Sequence, residues 1–275
     1  MDPAALGLTL GSAVLHASWN LVVKSSNDRL VAAWAQVSFG ALVFAPFLIA
    51  SGIPWEAWPS LVASTLVHLV YGLTLVAAYS RGDLSVVYPV ARGSAPVLVT
   101  IGAVVFLADW PGVIGATAIF LVVAGVLLTG LRGRGHGLPW ALAVGALIAT
   151  YTVIDGAAVR DLDGSFSYAV TLTIFNACAY IPVLVAVRGP RRMFGALRTE
   201  WWRHVLGGTA SVGAYALVLI AARHASLGLV AAVRETSVVW GALGGWLLLG
   251  EAGGRRRFEG AALIALGLML LAVVR

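Results

Sequence analysis

Ten apolar stretches, each close to the length of a membrane-crossing helix, follow one another along this chain with little between them. They cover approximately residues 4–23, 30–50, 59–80, 84–107, 111–130, 138–158, 165–187, 202–222, 227–249 and 257–274. About 17–25 mostly apolar residues suffice to cross a bilayer as a helix. Inside lipid, backbone polar groups have to be satisfied within the segment, and a helix does this by itself. The expected fold is therefore all-α and integral to a membrane. Charge agrees: 11% of the residues are charged and 60% hydrophobic, whereas a soluble domain carries roughly 25% charged residues. Too little charge exists to solvate a surface of this size, so the outside faces lipid.

The net charge of +6 does not indicate nucleic-acid binding. The basic residues sit between the apolar stretches, as at Arg188, Arg191, Arg192 and Arg198 or Arg255 to Arg257, where positive charge sets topology. The longest connection, Arg188 to Trp201, holds Gly189-Pro190-Arg191-Arg192 and is too short to house an active site. Trp55, Trp58, Trp110, Trp140, Trp201 and Trp202 mark span ends, where indole prefers the headgroup level. The single cysteine, Cys178, permits no intrachain disulfide and reads as a small buried hydrophobe. Met1-Asp2-Pro3 lacks the basic region and cleavage site of a signal peptide, so a retained first helix is expected.

The two halves resemble each other. A shift of 142 positions pairs Arg81 with Arg223, Arg92 with Arg234, Ser94 with Thr236 and Gly102 with Gly244. It also pairs Leu107 with Leu249, Asp109 with Glu251 and Gly125 with Gly267. Several of these are rare inside membranes, so chance is a poor explanation. Residues 1–134 and 135–275 then form two repeats of five helices. An odd number inverts the second against the first, a plan that puts solute sites near the midplane at the repeat interface.

Charge at mid-membrane is costly and tends to mark function. Arg92 and Arg234 each lie about 12 Å into their spans, at 1.5 Å per residue, and Asp155 and Glu235 are the acids at comparable depth. These four sum to zero charge. They either pair, stitching the halves together, or line a polar cavity. Tyr88 with Arg92, and Tyr151 with Asp155, are four apart and share helix faces. His16, Asn20 and Lys24 form another stripe, as do Ser64, His68 and Tyr71, and Thr173, Asn176 and Tyr180. His16, Asp155 and Glu235 are the groups expected to exchange protons in a coupled cycle. Pro89, Gly93 and Pro96 surround Arg92 and predict a broken fourth helix serving as hinge or gate. Gly241, Gly244 and Gly245 predict close packing of the ninth.

The two five-helix halves, Leu247-Leu248-Leu249-Gly250-Glu251, the segment Glu259 to Gly267 and Leu15-His16-Ala17-Ser18-Trp19-Asn20 together resemble the drug/metabolite transporter superfamily, in its ten-helix EamA-type branch. In the first half the matching run ends at Leu107-Ala108-Asp109, with Asp109 standing where glutamate is usual. The resemblance implies secondary transport by alternating access and is silent on cargo. It also implies cytoplasmic termini, while the distribution of Arg and Lys between connections favours termini outside; both orientations stay open. The expected solute site comprises His16, Trp19, Asn20, His68, Tyr71, Tyr88, Arg92, Tyr151, Asp155, Arg234, Glu235 and Trp240. Its charges suit a zwitterionic or anionic metabolite. An aromatic cage for a quaternary amine from Trp19, Tyr71, Tyr88, Tyr151 and Trp240 and a lipid-linked-sugar flippase are the alternatives. No hydrolase, Walker or metal-ligand motif is present, so neither enzyme activity nor a cofactor or metal is expected. The expected surroundings are a prokaryotic cytoplasmic (inner) membrane, with lipid and a small solute as partners and a homodimer left open.

Overall fold

In a computed structural model, the chain is described except at Asn27, 82–83, 131–136, 163, 199, 241–254 and 274–275. The side chains of Lys24, Tyr79, Pro89 and residues 84–86, 129–130, 196–198, 255–258 and 271–273 are likewise not described. Gly241, Gly244, Gly245 and the run Leu247 to Glu251 thus lie outside the described residues.

The helices are α1 (Pro3–Lys24), α2 (Arg29–Phe44), α3 (Phe47–Ser51), α4 (Trp58–Arg81), α5 (Leu84–Leu107), α6 (Gly112–Gly130), α7 (Leu138–Arg160), α8 (Ser165–Arg188), α9 (Pro190–Arg198), α10 (Trp201–Ala222), α11 (Leu227–Arg234) and α12 (Arg255–Val273). A short 3₁₀ turn, Trp55–Ala57, precedes α4, and residues 237–240 are again helical beyond α11. Among the described residues there is no strand. Among the described residues, six segments are long and apolar enough to cross a membrane: Pro3–Val23, Trp55–Ala78, Val90–Leu107, Leu138–Arg160, Ser165–Arg188 and Trp201–Ala222. Arg29–Phe44, Gly112–Leu128 and Glu259–Leu270 are shorter apolar helices. All six tryptophans at the expected span ends are exposed.

Local chemistry explains the boundaries. Pro at the first turn of α1 costs nothing, because that N–H has no helical partner. Asp28 caps α2 by accepting from Val31 N–H at 3.3 Å. Pro46 separates α2 from α3, which stops at Gly52 with φ +76°, a left-handed turn that glycine adopts freely.

Four features differ from the sequence expectation. The connection after Arg188 is not extended: α9 folds there, with Met193 buried against α2 and α8 while Arg191, Arg192 and Phe194 are exposed. That two-sidedness suits a short helix lying in the interface plane. Cys178 is exposed rather than buried. Helix α5 runs unbroken through Pro89, Gly93 and Pro96. Each proline deletes one backbone hydrogen bond, but α5 is clasped by α6, α7 and α11, and such neighbours let membrane helices tolerate proline. The irregularity falls instead just beyond α11. Glu235 and Thr236 donate to Ala232 and Val233, and Val238 and Val239 donate to Glu235 and Thr236. These three-residue spacings mark a 3₁₀ tightening, which in mid-helix often accompanies a functional hinge.

Polar contacts sort the helix ends onto two faces. On one, Arg188 Nε pairs with Asp28 Oδ2 at 2.9 Å, Arg203 reaches Ser25 and Glu200, and Arg81 lies over Trp140 at 5.0 Å. On the other, the ends of α5, α7 and α10 meet the start of α11 through Asp109 and Arg160. Between the faces the helices pack chiefly as α1 on α10, α4 on α7, α5 on α7, α2 on α8 and α10, and α6 on α12. Small residues set those approaches. A Cβ at Gly208 would strike the Gln36 carbonyl and lie 2.6 Å from Gly40 N, and one at Gly125 would lie 2.6 Å from Gly260 O. Gly208→Leu is accordingly expected to cost at least about 1–3 kcal/mol by overpacking. A thermal melt in detergent checks this, and an unchanged Tm would count against the tight α2–α10 approach.

Candidate functional site

Two buried polar networks occupy the middle of the bundle. The first is centred on Arg92 of α5. Its Nε lies 3.0 Å from Glu235 Oε2, at the 3₁₀ tightening after α11. Its Nη2 donates to His16 Nε2 of α1 at 2.8 Å and to Ser237 Oγ at 3.1 Å. An arginine only donates, so His16 Nε2 accepts here and carries no proton. Trp19 stands edge-on to the His16 ring at 5.1 Å. The Asn20 amide donates back to the His16 carbonyl at 2.7 Å.

The second network is centred on Asp155 of α7, which is fully buried. Its Oδ2 accepts from Ser64 Oγ at 2.9 Å and from Tyr215 Oη; its Oδ1 accepts from Tyr168 Oη at 2.6 Å. Hydroxyls from α4, α8 and α10 thus solvate this carboxylate in place of water. Hydrogen bonds to an ionised acceptor are the stronger kind, and without them a buried charge would be prohibitive. Around it, His68 stacks on Tyr151 at 4.0 Å, and Tyr71 and Tyr215 meet Tyr151 edge-on at 5.9 and 6.5 Å. Tyr180 donates to the His68 carbonyl, which ties α8 to α4.

A cavity lies between these networks, lined by α5, α7, α10 and α11. Its polar lining is Thr152, Tyr215, Arg234 and Glu235. The Arg234 guanidinium carbon stands over the Tyr215 ring at 5.9 Å. Helix α11 positions this arginine: with only eight residues, it ends about 12 Å below its start. A cation in the last turn matches the negative end of the helix dipole. At the other end of α11, Asp109 Oδ2 accepts from Leu227 N–H at 2.9 Å, the matching placement for an anion. The same Oδ2 pairs with Arg160 Nη2 at 2.6 Å, and Arg160 Nε donates to the Ala222 carbonyl at 3.2 Å. Leu227 and Ala222 also line the cavity, so this latch sits at its end. Asp109 is aimed there by Ala108, whose φ of 52° is uncommon for a residue other than glycine.

Among the sequence-expected residues, Arg234 and Glu235 line the cavity; Arg92, His16, Trp19 and Asn20 belong to the first network; Asp155, His68, Tyr71 and Tyr151 belong to or surround the second. Tyr88 and Trp240 are exposed, at 37% and 43%. Of the four central charges, Arg92 and Glu235 pair, while Asp155 takes hydroxyls instead of an arginine. Tyr168, Tyr215, Ser237 and the Asp109–Arg160 latch were not among the expected site residues. Tyr168 and Tyr215 had a signal, as polar side chains inside apolar runs. Ser237 follows Arg234 by three residues, one turn away.

The profile of the EamA-like transporter family matches residues 135–273. The chain belongs to the EamA-like transporter family. It is thus a multi-pass membrane transporter of the drug/metabolite type. A solved crystal structure has the same fold, with a TM-score of 0.81, 15% identity and coverage of 100% of this chain and 98% of that one. No curated protein matches the sequence.

The Asp155 network makes a direct prediction for this EamA-like chain. Asp155→Asn sets two N–H donors where three hydroxyls already donate, and should cost about 1–3 kcal/mol. Tyr168→Phe removes one donor, keeps the ring and should cost less. Thermal unfolding of the purified variants tests the order, and an asparagine variant as stable as wild type would contradict it.

Proposed function

We propose that this EamA-like protein is a secondary transporter of a small anionic or zwitterionic solute, working by alternating access between two inverted five-helix halves. The observation that carries the reading is the cavity lined by Arg234 and Glu235, bounded by helices from both halves. Helix packing supports the repeat. If α1, α2, α4, α5 and α6 correspond to α7, α8, α10, α11 and α12, the packing of α1 on α10 has its counterpart in α7 on α4. Likewise α5 on α7 corresponds to α11 on α1, and α2 on α10 to α8 on α4; α2 with α8 and α6 with α12 are their own counterparts. Such exchangeable contacts are what a two-fold between inverted repeats requires. Proton coupling would use Glu235, His16 or Asp155, the first two of which meet on Arg92. A prokaryotic cytoplasmic membrane is the location that goes with this reading, and no enzymatic step is part of it.

In this reading the Asp109–Arg160 latch closes one end of the solute path and has to open for access from that face. Purified protein, alone in liposomes, should accumulate some members of a panel of small anionic and zwitterionic metabolites with saturable kinetics. Uptake confined to quaternary amines would instead favour the cationic alternative, and no uptake at all would sink the reading. Separately, Ala231→Cys in a Cys178→Ser background reports access to the cavity. Asp109→Asn should raise its labelling by a membrane-impermeant maleimide severalfold from the latch face. The swap Asp109→Arg with Arg160→Asp should lower it again. Labelling indifferent to these changes would remove the latch from the transport path.

A further inference from the structure

The two arginines related by the internal repeat have different surroundings, and the difference points to the ligand. Arg92 is ion-paired with Glu235 at 3.0 Å and donates through Nη2 to His16 and Ser237, although its Nε makes no aligned hydrogen bond. Arg234 is 9% exposed and lines the cavity. Among the described residues, the ion pairs at up to 4.0 Å do not include Arg234, and its Nε has no hydrogen-bond partner. A second unsatisfied polar atom lines the same cavity, the buried hydroxyl of Thr152. Buried donors left unpaired are expensive, and an unpaired buried charge more so. Asp155 cannot compensate Arg234 by direct pairing, because its oxygens already hold three hydroxyls and Tyr215 stands between.

We propose that Arg234, and not its repeat counterpart Arg92, is the anion-binding group of the cavity, with Thr152 as a second donor, and that the ligand is a small organic anion with an apolar body, of the aliphatic carboxylate class. This rests on reading the cavity as the solute site. The cavity holds only about 20 Å³ in this state, so a ligand enters once the bundle opens; its walls, Ala95, Val99, Ile148, Val218, Leu219 and Val230, offer no partners for the hydroxyls of a sugar and suit an apolar body. A planar carboxylate also matches the guanidinium fork, which holds it with two parallel hydrogen bonds.

The test is calorimetric titration of the full chain in nanodiscs with 4-methylpentanoate, its neutral amide and the corresponding primary amine. The carboxylate should bind saturably, and the amide and amine at least about tenfold more weakly, as loss of a charged hydrogen bond implies. Arg234→Gln should weaken carboxylate binding at least tenfold and Thr152→Val severalfold. Arg234→Lys, which keeps the charge and guards against misfolding, should weaken it more than Arg92→Lys does. Ala231→Leu, which fills the cavity and keeps every charge, should abolish it. The assignment is overturned if wild type does not bind the carboxylate, if the amide binds equally, or if Arg92→Lys loses more than Arg234→Lys. Binding without flux in liposomes would leave the assignment standing and remove the transport reading. Flux of other solutes without carboxylate binding would do the reverse.

Discussion

The Arg92–Glu235 pair, 3.0 Å apart and nearly sealed from solvent, is the constraint on which the centre of this protein depends. Neither ion is tolerable alone in the hydrocarbon region, so each fixes the other and thereby the helices that carry them. Removing one partner of a buried pair typically costs about 3–5 kcal/mol, because the survivor is left uncompensated. With His16 and Ser237 added, one guanidinium joins α1, α5, the end of α11 and the helical residues 237–240 beyond it. Once Glu235 is committed to Arg92, Arg234 has no carboxylate at ion-pairing distance among the described residues. Its exposure to the cavity is a consequence of that commitment.

Asp155 is held by another device. Three hydroxyls converge on it from helices far apart in the sequence, so the carboxylate acts as a hub for α4, α7, α8 and α10. Tyr215 links the two systems, since its hydroxyl donates to Asp155 while its ring lies beneath Arg234. A change of charge at either centre is therefore felt at the other through one rigid side chain.

Much of the fold was legible because lipid imposes a simple rule, that long apolar runs become helices. The spans at 84–107 and 165–187 match α5 and α8 nearly residue for residue. The rule failed where composition and geometry part. The basic, proline-headed stretch after Arg188 looked like a loop, yet two-sided chemistry with Met193 inward folds it as α9. Pro89 and Pro96 pointed to a break in α5, but neighbouring helices absorb them, and the tightening falls at Glu235 and Thr236, where no proline gives warning. For the site, isolated charges were readable because they are rare in membranes. Their pairing was not, because partner choice depends on helix rotation, which sequence spacing within one helix leaves undetermined. The Asp109–Arg160 contact was hidden for the same reason, although Asp109 itself stood out in the repeat.

The tightening after α11 has a mechanical consequence. A 3₁₀ segment advances about 2.0 Å per residue, an α-helix about 1.5 Å. Over four residues that is a stroke of about 2 Å along the span, accompanied by a rotation of about 80° between its two parts. The joint sits directly on Glu235, which is tethered to Arg92, and one residue beyond Arg234. Any winding or unwinding of this joint therefore turns the cavity arginine relative to the anchored one, converting a small change of pitch into a change in what the cavity presents.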